Sequence, residues 1–142
     1  DLSAPGASEQ LEPLWVKEAA HEDRIVCCQW LGEDCFATGS EDGFVRKWST
    51  KTRDCVFELS VHEDGVFCLC FAADNRHVLS SGHFDPPRWT DTESKACLFV
   101  LQADPTSKCS AKVGSVSVSA DATRGVTCGW DEHLRVWDLT SG

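Results

Sequence analysis

Methionine is absent, basic residues are scarce and no long apolar run occurs, and each deficit narrows what the chain can be. Thirteen Lys and Arg face 23 Asp and Glu, a formal charge of −10. Too few cations are present for counterion release from a phosphate backbone to drive tight binding, so nucleic acid is not an expected partner. The same acidity repels an anionic membrane surface. It has two readings: attraction of basic partner segments, or a solvated surface kept for solubility. The longest apolar run, Ala96 to Leu101, falls far short of the ~20 residues that a spanning helix needs. The first residues lack the basic-then-apolar pattern of an export signal. With Asp1 opening a chain that has no Met, the sequence reads as a piece of a longer protein.

Also missing are a Gly-rich phosphate loop and the Cys-x-x-Cys pairs of zinc ribbons. Nine cysteines are present, an odd number, and Cys27, Cys28, Cys35, Cys68 and Cys70 lie inside apolar runs. Buried reduced thiols in a cytoplasmic or nuclear protein are the expected reading, with no metal site and no cofactor. Ser81, His83 and Asp85 have the residue types of a hydrolytic triad. A nucleophile, base and orienter need mutual geometry and an oxyanion hole, which alternation along a strand or turn does not supply, so no enzyme is expected.

What is there is short β-prone runs. Residues 1–13 are polar with two prolines and read as a disordered tail or linker. From Leu14 onward, runs of four to six residues such as LWVK, CFATG, VFCLCF and HLRVW are bounded by Gly, Asp, Ser or Thr. No sustained 3.6-residue apolar period appears. Three segments share one grammar, starting at His21, His62 and Cys109. Nine residues on comes a large apolar residue, Trp30, Phe71 or Val118, then a turn ending in Asp42, Asp85 or Asp131, then Trp48, Trp89 or Trp137. The Asp-to-Asp steps of 43 and 46 residues match a propeller blade of four short strands.

The segments GSEDGFVRKWS and GWDEHLRVWDLTSG, the latter with the literal Trp137-Asp138 dipeptide, resemble the WD-repeat family. The resemblance covers residues 14–142 and implies an all-β propeller segment of about three blades, roughly 14–54, 55–96 and 97–142. It also implies a polar latch in each blade, made of His, Ser or Thr, Asp and Trp. Carried over by position, the first latch is His21, Thr38, Asp42 and Trp48, with Ser40 an alternative to Thr38. The second is His62, Ser81, Asp85 and Trp89. The third has Cys109 in place of His, then Thr127, Asp131 and Trp137, and so is expected to lack its full latch. Five residues separate Asp from Trp in the first and third copies, but only Pro86, Pro87 and Arg88 do so in the second. Proline cannot donate to a strand ladder, so this blade is expected to be the least regular.

In the resembled family an outer strand precedes each His loop. LWVK at the start is therefore expected to be an outer strand able to complete the last blade. Three blades are too few to close a ring. Either further blades of a longer chain or additional copies of this one would complete it, a six-bladed homodimer among them. The resemblance further implies a non-catalytic scaffold or adaptor that binds proteins or peptide segments within a multiprotein complex. The positions that line the docking rim in such propellers are Arg24, Glu41, Gly65, Phe84, Lys112 and Trp130. Phe84 and Trp130 are the foremost candidates because large aromatics dominate binding hot spots.

Overall fold

The computed structural model of the chain describes residues 10–102 and 112–141. All of its regular structure is β, in three antiparallel sheets that follow one another along the chain. The first sheet holds β1 (Ile25–Trp30), β2 (Cys35–Ser40), β3 (Phe44–Ser49) and β4 (Cys55–Ser60), in that spatial order. The second holds β5 (Val66–Phe71), β6 (His77–Gly82), β7 (Arg88–Asp91) and β8 (Ala96–Val100). Among the described residues the third has three strands, β9 (Val113–Val118), β10 (Arg124–Gly129) and β11 (Leu134–Asp138). The first two blades gain their outer strands from the residues that open the next sequence repeat: β4 begins at Cys55 and pairs backwards with β3.

The sheets stack through their inner strands, with β5 against β1 and β2, and β9 against β5 and β6. Strand alternation sends successive side chains to opposite faces, so each sheet contributes one set of residues to each neighbour. Ala37 and Val45 of the first sheet meet Val66, Phe71 and Val78 of the second in one core cluster. Leu79 and Trp89 of the second join Val116 of the third, with Leu101 and Leu139 from the flanking turns. Burying each such Val or Leu contributes about 1.5–3 kcal/mol, and this burial holds the sheets together. Gln29 of β1 adds a polar tie between blades, because its side-chain oxygen accepts the Phe71 N–H of β5 at 2.8 Å.

One expectation fails here. LWVK forms no strand: Leu14 and Val16 are exposed, Trp15 rests near Phe36 at a ring separation of 6.1 Å, and the third sheet has no fourth strand. Its expected partner, the edge strand β11, lies in the third sheet at the far end of the stack, and the run rests on the first sheet instead. The two end faces of the stack are also open. The first sheet leaves uncovered the side bearing Val26 and Trp30, and the third leaves uncovered the side bearing Leu134 and Val136, which are 70% and 62% exposed.

The second blade is the least regular one. Pro86 and Pro87 lie in the loop and β7 begins only at Arg88, which gives it four residues against six in β3. The strand is shortened; its residues pair in order with β6, while the pairing with β8 shifts register between Trp89 and Thr90.

Candidate functional site

Two sets of residues converge at the loop ends of the blades. The deeper set is the latch, complete in the first blade. The Trp48 indole donates to Thr38 Oγ1 at 2.8 Å, Thr38 Oγ1 lies 2.7 Å from His21 Nε2, and His21 Nδ1 lies 2.8 Å from Asp42 Oδ2. An indole N–H only donates and a carboxylate only accepts, so the chain has one direction. His21 carries its proton on Nδ1 and gives it to Asp42, while the Thr38 hydroxyl donates to Nε2. Burial pushes the Asp42 carboxyl up, but the Phe44 N–H, His21 and the Glu22 N–H outweigh it and hold the group below its ordinary value. Ser40, the alternative to Thr38, instead donates to the Asp23 carbonyl.

The second latch is built from other residues than those expected. His62 Nε2 lies 3.0 Å from Ser80 Oγ, not from Ser81. Ser81 points to the third blade, 2.8 Å from Cys68 Sγ, and donates to the Val113 carbonyl at 3.3 Å. Trp89 is also outside the latch. Thr38 pairs with Arg46, Thr127 with Arg135 and Ser80 with Arg88, and Trp48 and Trp137 lie two residues beyond their arginines. Trp89 lies one residue beyond Arg88, so its side chain falls on the opposite face, buried in the core and stacked on His77 at 5.4 Å. Thr90 holds the position equivalent to Trp48. Counting eight residues back from each arginine, rather than from the turn Asp, would have identified Ser80 from the sequence.

The turn Asp of this blade is displaced as well. Three residues separate Thr38 from Asp42 and Thr127 from Asp131, but four separate Ser80 from Asp85. His62 Nδ1 consequently stands 3.5 Å from Asp85 Oδ2, beyond a good hydrogen bond. In the third blade the Trp137 indole donates to Thr127 Oγ1 at 2.9 Å, and Asp131 is engaged by Arg135 at 2.7 Å. Cys109 lies outside the described residues.

Above the latches runs a polar and aromatic ridge that joins all three blades. Arg24 forms a two-pronged contact with Glu41, at 2.8 Å from Nε and 2.6 Å from Nη2. The other Glu41 oxygen is 3.5 Å from His83 Nε2. His83 meets the Phe67 ring edge-on at 5.1 Å and lies 6.4 Å from the Phe84 ring. The Lys112 ammonium then sits over two rings, 5.7 Å from Phe84 and 5.1 Å from Trp130. The ridge thus contains Arg24, Glu41, Phe84, Lys112 and Trp130 together. His83, read from sequence as a lone turn histidine, is the link between Glu41 and Phe84.

The backbone explains the ridge. The Arg24 carbonyl accepts the Glu41 N–H and the Lys112 carbonyl accepts the Trp130 N–H, both at 3.0 Å, so these pairs hold equivalent places in their blades. His83, three residues after Ser80, is the equivalent of Glu41 and Trp130. The extra residue before Asp85 therefore puts Phe84 where a turn Asp stands elsewhere, and leaves its ring 67% exposed. Trp130 is 70% exposed. Gly65 closes the seam between the first two blades: it has φ +96°, and a Cβ there would come within 2.8 Å of the Glu41 carbonyl oxygen.

Cys28, expected to be buried, is exposed, whereas Cys27, Cys35, Cys68 and Cys70 are half-buried. Burial pushes the Cys27 thiol up to about 12 and raises that of Cys68, so both stay protonated at neutral pH.

The WD domain, G-beta repeat, matches residues 13–49, 53–85 and 96–138. The second match stops at Asp85, where Pro86 and Pro87 begin. The WD repeat-containing protein 55 homolog of Drosophila yakuba is 35% identical over 74 residues, 52% of this chain and 14% of its own length. WD repeat-containing protein 55 of Arabidopsis thaliana is 36% identical over 66 residues, 46% of this chain and 19% of its own. The chain thus spans less than a fifth of these relatives. The β-propeller domain of Myceliophteria thermophila Cps50 (Swd1) superposes with a TM-score of 0.71 at 16% identity, over 85% of this chain and 37% of that one. With three matched repeats, three blade-like sheets and a propeller that superposes on them, the chain belongs to the WD-repeat family.

Proposed function

We propose that this chain is a non-catalytic interaction platform whose docking surface is the ridge from Arg24 to Trp130. The observation that carries this reading is the pair of exposed rings, Phe84 and Trp130, bracketing the Lys112 ammonium. Large aromatics on a rigid strand-end frame bury much area at little entropic cost, which is what a hot spot needs. The partner is a protein or peptide segment that presents a basic side chain. Such a group can take the place of Lys112 against the rings and is attracted by the net charge of −10. The cysteine-rich, odd-numbered composition suits a reducing cytoplasmic or nuclear compartment. The test is quantitative capture of cell proteins on the chain and on its Phe84→Ala/Trp130→Ala variant. Partners retained by the first and lost by the second, at unchanged thermal stability, support the reading, and an identical partner set overturns it.

A second reading rests on the two open end faces. They are unlike: one is the latch side of the first sheet, and the other is the Leu134 and Val136 side of the third. In the stack a face of the second kind always meets one of the first, so copies could join head to tail. Light scattering separates the cases, since a discrete closed oligomer supports this assembly and a monomer opposes it.

A further inference from the structure

Beneath Phe84 the second blade contains a polar cluster that the latch leaves unsatisfied. His62 Nδ1, Asp64 Oδ1, Asp85 Oδ2 and Arg88 Nε are all buried and lack a hydrogen-bond partner. The His62 side chain has no solvent exposure, and its Nδ1 points at Asp85 Oδ2 across 3.5 Å. In the first blade the same pair closes to 2.8 Å. Asp64 contributes a second carboxylate, whereas its first-blade counterpart Asp23 is exposed and accepts the Arg24 N–H. The Asp64 Oδ2 is used, because it accepts the N–H groups of Phe84 and Asp85, which leaves Oδ1 directed inward. One ligand atom from each of His62, Asp64 and Asp85 lies within 4.8 Å of the others. Gly82 forms the wall, where a Cβ would come within 2.4 Å of Asp64 Oδ1 and 3.0 Å of His62 Nδ1.

We propose that His62, Asp64 and Asp85 form a binding site for a divalent cation of the zinc class. With the His62 proton on Nε2 and donated to Ser80 Oγ, three lone-pair atoms face one another and repel, and a cation at their centre removes that repulsion. One imidazole nitrogen and two carboxylate oxygens are ligands that zinc accepts, with a fourth position left for water. At ligand distances of about 2.0–2.2 Å, tetrahedral neighbours stand roughly 3.4 Å apart, close to the 3.5 Å between His62 Nδ1 and Asp85 Oδ2. The Ser80 hydroxyl supports His62 from behind through Nε2, the second contact that orients a metal-bound imidazole. Two carboxylates balance the charge of the dication. The competing cation is Arg88, whose Nη2 is 3.5 Å from Asp85 Oδ2, and its partly exposed side chain can turn outward. A bound ion would tie together the loop after β4, the end of β6 and the Phe84 turn.

The experiment is titration of the full chain with Co2+ as an absorbing substitute for zinc. The site predicts one saturable ion bound with oxygen and nitrogen ligands, without the thiolate charge-transfer band that cysteine coordination gives. Asp64→Asn and Asp85→Asn should each weaken binding at least about tenfold, with the metal-free thermal transition reported alongside to show folding. Gly82→Ala should weaken it while keeping every ligand. Arg88→Gln should tighten it several-fold, an effect of opposite sign that a folding defect cannot mimic. No saturable binding, a thiolate-dominated spectrum, or binding indifferent to Asp64 and Asp85 would each overturn the proposal.

Discussion

Trp89 lies directly opposite Leu79 in the β6–β7 ladder, and that pairing places its indole on the face of the sheet that Ser80 does not share. Both side chains are buried in the core between the second and third sheets. The tryptophan that would have ended the second latch serves instead as an apolar plug between blades.

The two tryptophans therefore differ in what they lose when the indole nitrogen goes. Thr38→Val in the first blade strands both His21 Nε2 and Trp48 Nε1, and should cost about 1–3 kcal/mol in urea denaturation. Ser80→Ala strands only His62 Nε2 and should cost less. The sensitive comparison is Trp48→Phe with Trp89→Phe. The first removes a hydrogen bond to Thr38, and the second removes only packing. A double-mutant cycle with Thr38→Val should show coupling for Trp48 and none for Trp89.

Stability should fall in acid. The Ser119 hydroxyl and the Thr123 N–H hold Asp121 down to about 2, and the Thr140 hydroxyl holds Asp138 down to about 2, against an ordinary 3.8. Arg135 likewise lowers Asp131. Groups depressed in the folded state bind fewer protons there than when unfolded. Their stabilisation is complete above pH ~4 and is lost as the pH falls through the folded values. Urea midpoints measured from pH 5 down to pH 2 should decline steadily, and Asp121→Asn should flatten part of that decline.

Amide exchange should distinguish the blades. The Phe44–Ser49 strand pairs along six residues, whereas β7 pairs along four and is preceded by two residues without an N–H. Protection should be high across 44–49 and confined to 88–91 in the second blade, with Phe84 and Asp85 exchanging faster despite their bonds to Asp64.

The blades were legible because their signal is repeated: a period near 43 residues, turn residues at fixed places and alternation in the runs between. Every described strand except β7 falls in a run visible in the sequence, and β7 was hidden by the two prolines before it. LWVK misled because its pairing depends on β11 being brought round to it, which a stack of three blades does not do and local pattern does not encode. The ridge residues were named by position within the repeat, and they lie together because backbone pairing holds Arg24 to Glu41 and Lys112 to Trp130 in the same way. The second latch was misread for one reason. Asp85 and Trp89 have each moved by a residue, in opposite senses with respect to Arg88, and reading from them assigned Ser81 and Trp89 to the wrong face. Asp64 escaped notice and His83 was weighed only as a triad member, because only the fold brings them to His62 and Glu41.

The docking ridge is tested most directly by photocrosslinking from chosen positions. A benzoylphenylalanine placed at Phe84 or Trp130 should form adducts with partner proteins in cells, while the same group at Leu98, exposed on the outer strand β8, should not. Adducts from Leu98 alone, or equal yields from all three positions, would contradict a partner surface running from Arg24 to Trp130.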